Sequence, residues 1–332
     1  MSIPVTPVRK QQGIALLSVL LALTLMTFLV TELTFSFRTR LQTVTGRQQL
    51  DQARWYALST EDLARKVLKQ SFKEEPGVTH LNQYWAINSE PFPVPQGEIH
   101  GHIIDRQACF NLNALAGIPD GNQPSPAIKA FGQLLEYLEI EDSYYIAHST
   151  RNWVSEQSTG LPGAQDSDYQ ALPVPYLAGH TLMRDASEWR AVMGVTAPVA
   201  NRVMPYLCAL PTDKLKINVN TVSVKQPELL AALFGNNLPV DQALSILKDR
   251  NGIDENRRKK KVWESVDDFL KDPLLANFNT SDAKDLLTVN SSYFEVQATA
   301  RYNNAEVRME SLMLRNEDNE LSVIRRAFGG VE

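Results

Sequence analysis

From Ile14 to Thr31 the chain runs for 18 residues without a charge. At 1.5 Å per residue that is about 27 Å of helix, close to the roughly 30 Å hydrocarbon core of a bilayer, so the run can just span a membrane. In front of it stands a short polar leader that carries Arg9 and Lys10 and ends in Gly13. Behind it the sequence continues without Pro, and with Gly46 as its single weak point, toward Lys73. Within that continuation Leu50, Ala53, Ala57, Leu58, Leu63, Ala64, Val67 and Leu68 recur at mostly helical intervals. The spacing predicts one long helix whose later part lays an apolar face on a partner, and Pro76 with Gly77 end it.

A chain of 332 residues, 43% of them hydrophobic, can build a buried core and two domains beyond such an anchor. Its formal charge is −5, and removal of Arg9 and Lys10 with the leader lowers it by two, to −7, which argues against general nucleic-acid binding. Cys109 and Cys208 lie far apart with no CxxC spacing, so neither a zinc cluster nor a thioredoxin motif is encoded. Outside the cytoplasm they read as a disulfide whose closed loop contributes about 4 to 5 kcal/mol by chain entropy, less any strain. Inside it they read as two buried thiols. Charge leaves the topology open: Arg9 and Lys10 favour a cytoplasmic N-terminus, while Arg38, Arg40 and Arg47 beyond the run oppose it.

After a Pro-rich connection (Pro91, Pro93, Pro95), the segment from Glu98 through Ile104 reads as a strand, with Cys109 beyond its far end. The character then changes to short helices and loops from Ala114 to about Ser291. Helices are expected over SPAIKAFGQLLEYLEI and EDSYYIAHSTRNWV, then over RDASEWRAVMGV, where Asp185 and Glu188 have capping-box spacing. TAPVANRVMPYLCAL places Cys208 near a helix end, and KQPELLAALFG has Pro227 early and Gly235 just past its end. Three short capped helices follow in PVDQALSILKDRNG, SVDDFLKD and TSDAKDLL. Strands return at the C-terminus: Phe294, Val296, Ala298, Ala300 and Tyr302 alternate onto one face, Asn303 and Asn304 supply a turn, and AEVRMESLMLR returns as the hairpin partner. ELSVIRRAF adds a third strand. The expected fold is therefore α+β: a long N-terminal helix packed on an antiparallel sheet that is interrupted by a large helical insertion.

Three kinds of leader begin this way. A secretory signal peptide would place small residues in an A-x-A arrangement after the run, but Thr31, Glu32, Leu33 and Thr34 stand there. A plain single-pass anchor with a coincidental Gly is the second kind. The third is the leader that this one resembles, the class III signal of type IV pilins and type II secretion pseudopilins, cut after a Gly on the cytoplasmic side. That resemblance implies cleavage between Gly13 and Ile14, with the apolar helix kept on the mature protein. Typical pilins carry Glu five residues into the mature chain, where it meets the N-terminal amine of a neighbouring subunit; here Ser18 stands in that place. A carboxylate left unpaired in lipid costs a few kcal/mol or more, so a subunit at the tip, with no neighbour above it, loses nothing without one.

Further blocks carry the resemblance along most of the chain in the same order: ARWYALSTEDLARKVL, HLNQYWA, FNLNAL, NWVSEQSTGLPGAQDSDY, LKINVNT with ELLAAL, and YFEVQATAR. Together they resemble the general secretion pathway protein K family of minor pseudopilins. The resemblance implies a cleaved leader over 1–13, a membrane-spanning helix over 14–36, a pseudopilin domain over 37–113 and 291–332, and a helical domain over 114–290. It implies further a tip complex with minor pseudopilins of the I and J types, handling by the prepilin peptidase and the inner-membrane assembly platform, and a body outside the cytoplasm. Cys109 and Cys208 would then join the insertion to the pilin core.

Three motifs remain. In the family the loop around NWVSEQSTGLPGAQDSDYQ is richer in acid and calcium is bound nearby; here Ser155, Gln157 and Gln165 replace acidic places while Asp166 and Asp168 remain as candidate calcium ligands. INVNT, ELLAALFG, ALSILKDRNG and WESVDDFL are similar to helix-hairpin-helix modules, which makes membrane-anchored DNA binding or uptake the alternative function. Against it, the Gly-x-Gly hairpin is replaced by GNNLPV and only RRKKK at 257–261 is strongly basic, a composition usual in solvated loops. His100 and His102 fall on one strand face, too few for a closed metal site, and read as exposed strand histidines. No GxSxG, HExxH or P-loop occurs, and no enzyme activity is expected.

Overall fold

The computed structural model describes residues 12–87, 90–117, 125–156, 162–252 and 261–329. Helix α1 runs unbroken from Gln12 to Glu74. Then come the short strand β1 (Phe92–Val94), β2 (Gly97–Asp105) and β3 (Phe110–Asn111). Helices α2 (Pro126–Tyr137), α3 (Ser143–Val154), α4 (Asp166–Gln170) and α5 (Ala197–Val203) lead to β4 (Leu207–Cys208) and β5 (Ile217–Asn218). Helices α6 (Pro227–Ala232), α7 (Val240–Asn251) and α8 (Val266–Leu270) lead to β6 (Leu287–Thr288), and β7 (Tyr293–Tyr302), β8 (Ala305–Arg315) and β9 (Leu321–Phe328) close the chain.

The five long-sheet strands lie in the order β1-β2-β7-β8-β9, every neighbour antiparallel. β2 and β7 pair directly, Ile103 opposite Val296, although the whole insertion separates them in sequence. The period-two pattern of β7 turns Phe294, Val296, Ala298 and Ala300 onto α1, all buried. Ala53, Ala57 and Ala64 bring the helix close to the sheet, and Leu68 and Phe72 fill the wider lower end with Trp85, Phe294 and Met313. The Phe72 and Trp85 rings stand 5.4 and 5.7 Å from that of Phe294. At about 1.5–3 kcal/mol for each large apolar side chain buried, this contact holds helix to sheet. Gly101 is required where β2 passes under α1, because a Cβ there would come within 2.8 Å of the Thr60 methyl.

The insertion has one apolar core and two lobes built to a shared plan. Each opens on a two-residue strand whose second residue begins an Asn-x-Asn, and each is closed by a parallel two-residue pairing, β3 with β4 and β5 with β6. The FNLN and INVN blocks acquire a physical meaning here. Asn111 Oδ1 accepts from the amides of Asn113 and Leu210, while Asn113 bonds the carbonyls of Met183 and Leu210 and the amide of Met183. In the second lobe Asn218 Oδ1 accepts from the Asn220 amide, and Asn220 bonds both the amide and the carbonyl of Trp263. Buried amide side chains thus satisfy backbone groups that no regular element serves.

Four local readings differ from the sequence expectation. The Asp185–Glu188 capping box forms, yet it opens a 3-10 turn over Ala186–Ala191 and not an α-helix. TSDAKDLL, expected as a short helix, forms only a 3-10 turn over Lys284–Leu286. Pro93 lies in β1, an edge strand, where its missing N–H costs no ladder bond. The polar stretch after the third Trp contains the short helix α4, capped by the Gln165 amide donating to Asp168 Oδ2 at 2.8 Å.

Candidate functional site

Function-bearing features fall in three places: the free face of α1, the junction between sheet and insertion, and the neck between α3 and α4. From Ile14 to Phe35 nearly every side chain of α1 is exposed, and α1 is the one helix among the described residues long and apolar enough to cross a membrane. Its hydroxyls are all satisfied within the helix. Ser18 donates to the Ala15 carbonyl, Thr24 to Leu21, Thr27 to Leu23, Thr31 to Thr27 and Thr34 to Val30, at 2.7–2.9 Å. No hydroxyl between Ile14 and Phe35 therefore needs water, which suits a segment in lipid. Gly13 lies inside the helix one residue before Ile14, and the leader residues 1–11 fall outside the described residues.

At the junction, Cys109 and Cys208 form a disulfide with Cα atoms 5.9 Å apart. Beside it lies a polar hub that sequence reasoning missed. Asp105, at the end of β2, is fully buried and accepts from the Gln107 amide at 2.8 Å, Thr221 and Ser291 hydroxyls at 2.6 Å, and Asn218 Nδ2 at 3.2 Å. Asn218 also donates to the Thr79 carbonyl and Ser291 Oγ. One carboxylate thus joins the sheet, the second lobe and the returning strand. Burial pushes the Asp105 carboxyl up from its ordinary value, and the four donors only partly offset that. The signal available in sequence was an Asp ending an apolar strand, too common a feature to single out.

At the neck, the two candidate calcium ligands are already engaged. Asp168 caps α4, and Asp166 Oδ1 contacts His180 Nε2 at 2.8 Å. Asn152 Oδ1 and Ser155 Oγ are buried without a hydrogen-bond partner, but both are neutral oxygens. Among the described residues no three His, Cys, Asp or Glu side chains come together. Calcium takes six to eight oxygens and gains affinity with carboxylate count, and the donors among the described residues of this neck fall short of that set. Gln157 lies outside the described residues.

The hairpin-like module is part of the core. Leu229, Leu230, Phe234, Leu238, Ile246 and Leu247 are buried, and the turn at Gly235–Asn237 joins α6 to α7. Of the basic run, residues 257–260 lie outside the described residues; Lys261 pairs with Asp272 at 2.5 Å and Asp249 at 3.1 Å. Arg250 is buried and donates to the Val219 carbonyl. These cations serve packing. His100 and His102 do share a face of β2, half-buried where exposure was expected, and burial with the charge of His100 holds His102 below its usual value.

Comparison with known proteins bears on this arrangement directly. Two family models described as type II secretion system protein K match residues 108–212 and 217–290, the two lobes in turn. Type II secretion system protein K of Aeromonas hydrophila is 37% identical over 98% of this chain and 99% of that protein. This chain belongs to that family. The Klebsiella pneumoniae protein K is also 37% identical, over 96% of this chain and 97% of its own. Among solved structures, a chain of the GspK-GspI-GspJ complex from enterotoxigenic Escherichia coli superposes with a TM-score of 0.74 at 35% identity, covering 89% of this chain and all of that one. The family assignment makes the chain a minor pseudopilin of the type II secretion system, and no finding favours the DNA-binding alternative. Protein K family models cover the lobes; the long helix and split sheet supply the pilin part of the fold.

Proposed function

We propose that this protein K is a tip subunit of the pseudopilus, assembling with minor pseudopilins of the I and J types to support protein export across the outer membrane. The observation that carries the reading is the likeness, over 89% of this chain, to a chain of the solved GspK-GspI-GspJ complex. In this reading the prepilin peptidase cuts between Gly13 and Ile14, the new N-terminus is methylated, and the inner-membrane assembly platform receives the subunit. α1 spans the inner membrane once, with the sheet and insertion in the periplasm, where the Cys109–Cys208 bridge persists. Ser18 suits the tip because its hydroxyl is satisfied within its own helix and asks nothing of a subunit above. The protein has no catalytic role; its work is assembly.

Co-purification tests this. Soluble parts of the I- and J-type partners, mixed with this chain, are expected to elute with it as one complex, and deletion of the gene is expected to abolish secretion. Independent elution of all three, with secretion intact, contradicts the assignment. Salt-sensitive retention on DNA would move the reading to the alternative.

A further inference from the structure

Beyond the charge-free run α1 carries Arg38, Arg40 and Arg47, and from Leu33 to Leu50 no acidic residue accompanies them. All three are exposed. The nearest acids along the chain are Glu32 and Asp51, and Asp51 pairs with Arg54 at 3.7 Å. Among the described residues no acidic side chain pairs with any of the three arginines. Neighbouring hydroxyls are satisfied in the helix, Thr39 donating to the Phe35 carbonyl and Thr43 to that of Thr39, each at 3.0 Å. The guanidinium groups are left with five N–H donors each and a charge that the fold does not use.

Helix geometry sorts the three. Counted from Ser36, the end of the span, Arg38 lies about 3 Å, Arg40 about 6 Å and Arg47 about 16 Å further along the axis. The first two fall at headgroup depth, whereas the third stands beyond the Debye length of about 8 Å at physiological salt. At about 100° per residue Arg38 and Arg40 leave the helix on opposite sides, so they form a collar and cannot share one ligand. The collar opposes the positive-inside bias, which would place basic residues at the other end of the span. A use at this end has to outweigh that.

We propose that Arg38 and Arg40 dock α1 to anionic phospholipid headgroups at this end of the span, each guanidinium taking one phosphate. The inference rests on the reading of residues 14–36 as a membrane span. Anionic lipid is the partner because a zwitterionic headgroup carries its own cation beside the phosphate. Phe35 and Phe37, both exposed, sit at the same depth and place their rings among the upper acyl chains, while the arginine stems snorkel to the phosphates. The helix end is thereby held at the headgroup plane until the subunit leaves the bilayer.

The test reconstitutes the full-length protein in phosphatidylcholine vesicles carrying a trace of chain-spin-labelled phosphatidylglycerol or phosphatidylcholine. Electron spin resonance then measures the fraction of each label that the helix restricts. Wild type is expected to prefer phosphatidylglycerol, by up to about fivefold for each arginine at the surface. Arg38→Gln and Arg40→Gln are each expected to lower the preference, and the double variant by both losses together, since the two sites are independent. Arg47→Gln is expected to leave it intact. All these chains share Arg9 and Lys10, so the leader does not enter the comparison. In about 1 M salt, where the Debye length falls to about 3 Å, the wild-type preference is expected to shrink toward that of the double variant. An undiminished preference in the double variant or in salt, or an equal loss in Arg47→Gln, overturns the proposal. Restricted lipid without any preference overturns it alone; no restricted lipid of either kind overturns the span as well.

Discussion

Four groups converge on the Asp105 carboxylate, and removing it strands all of them in a dry interior. Asp105→Ala is expected to cost about 3 kcal/mol or more, whereas Ser291→Ala, which deletes one donor, should cost about 1–2 kcal/mol. Chemical denaturation of both variants checks the order. Glu61, on α1, is another buried carboxylate. Burial alone would raise it, but hydrogen bonds from Arg326 and Ser311, with the charges of Arg326 and Arg65, outweigh that and hold it below its ordinary 4.5. A carboxyl depressed in the folded state contributes stability above its unfolded value and loses it as pH falls. The Glu61–Arg326 contact should therefore weaken as pH drops below about 4.5, and Glu61→Gln should flatten the acid limb of the stability curve relative to wild type. The cysteines offer a third residue-scale test: Cys109→Ser or Cys208→Ser should cost about 4 kcal/mol by loop entropy without altering leader cleavage. An unchanged melting temperature would count against a stabilising bridge.

At the scale of elements, α1 divides in two. From Ile14 to Leu50 it is almost wholly exposed, and its fully buried side chains begin at Ala53. A chain starting near residue 37 should thus keep the melting temperature of the full protein's folded body, while Phe72→Ala, which empties the contact with Phe294, should cost about 3–5 kcal/mol. Calorimetry of the truncated protein and its Phe72 variant distinguishes these. The helix, β2 and the terminal hairpin were legible in sequence because their periods, 3.6 and 2, repeat over many residues. The 3-10 turn after Asp185 and the two-residue ladders were not, since a capping box does not specify helix type and a two-residue strand has no period. The hub at Asp105 and the neck at His180 were also invisible, because their partners come from places over a hundred and some fourteen to twenty-five positions away. Tertiary proximity, not local pattern, makes those sites.

For the whole molecule, the split sheet explains how an assembly helix and a large helical body belong to one subunit. β2 and β7 are sheet neighbours, so the insertion leaves and re-enters at a single place, and the disulfide, the hub and the β3–β4 pairing all lie at that place. The helix that anchors and the domain that projects are thereby coupled through one sheet, which is what a subunit at a filament tip requires. The most direct test is the intact mass of the membrane-extracted protein, from cells with and without the prepilin peptidase, after alkylation of free thiols. The account predicts loss of residues 1–13 only where the peptidase is present, with neither cysteine alkylated. A full-length chain in both strains carrying two alkylated thiols would contradict it.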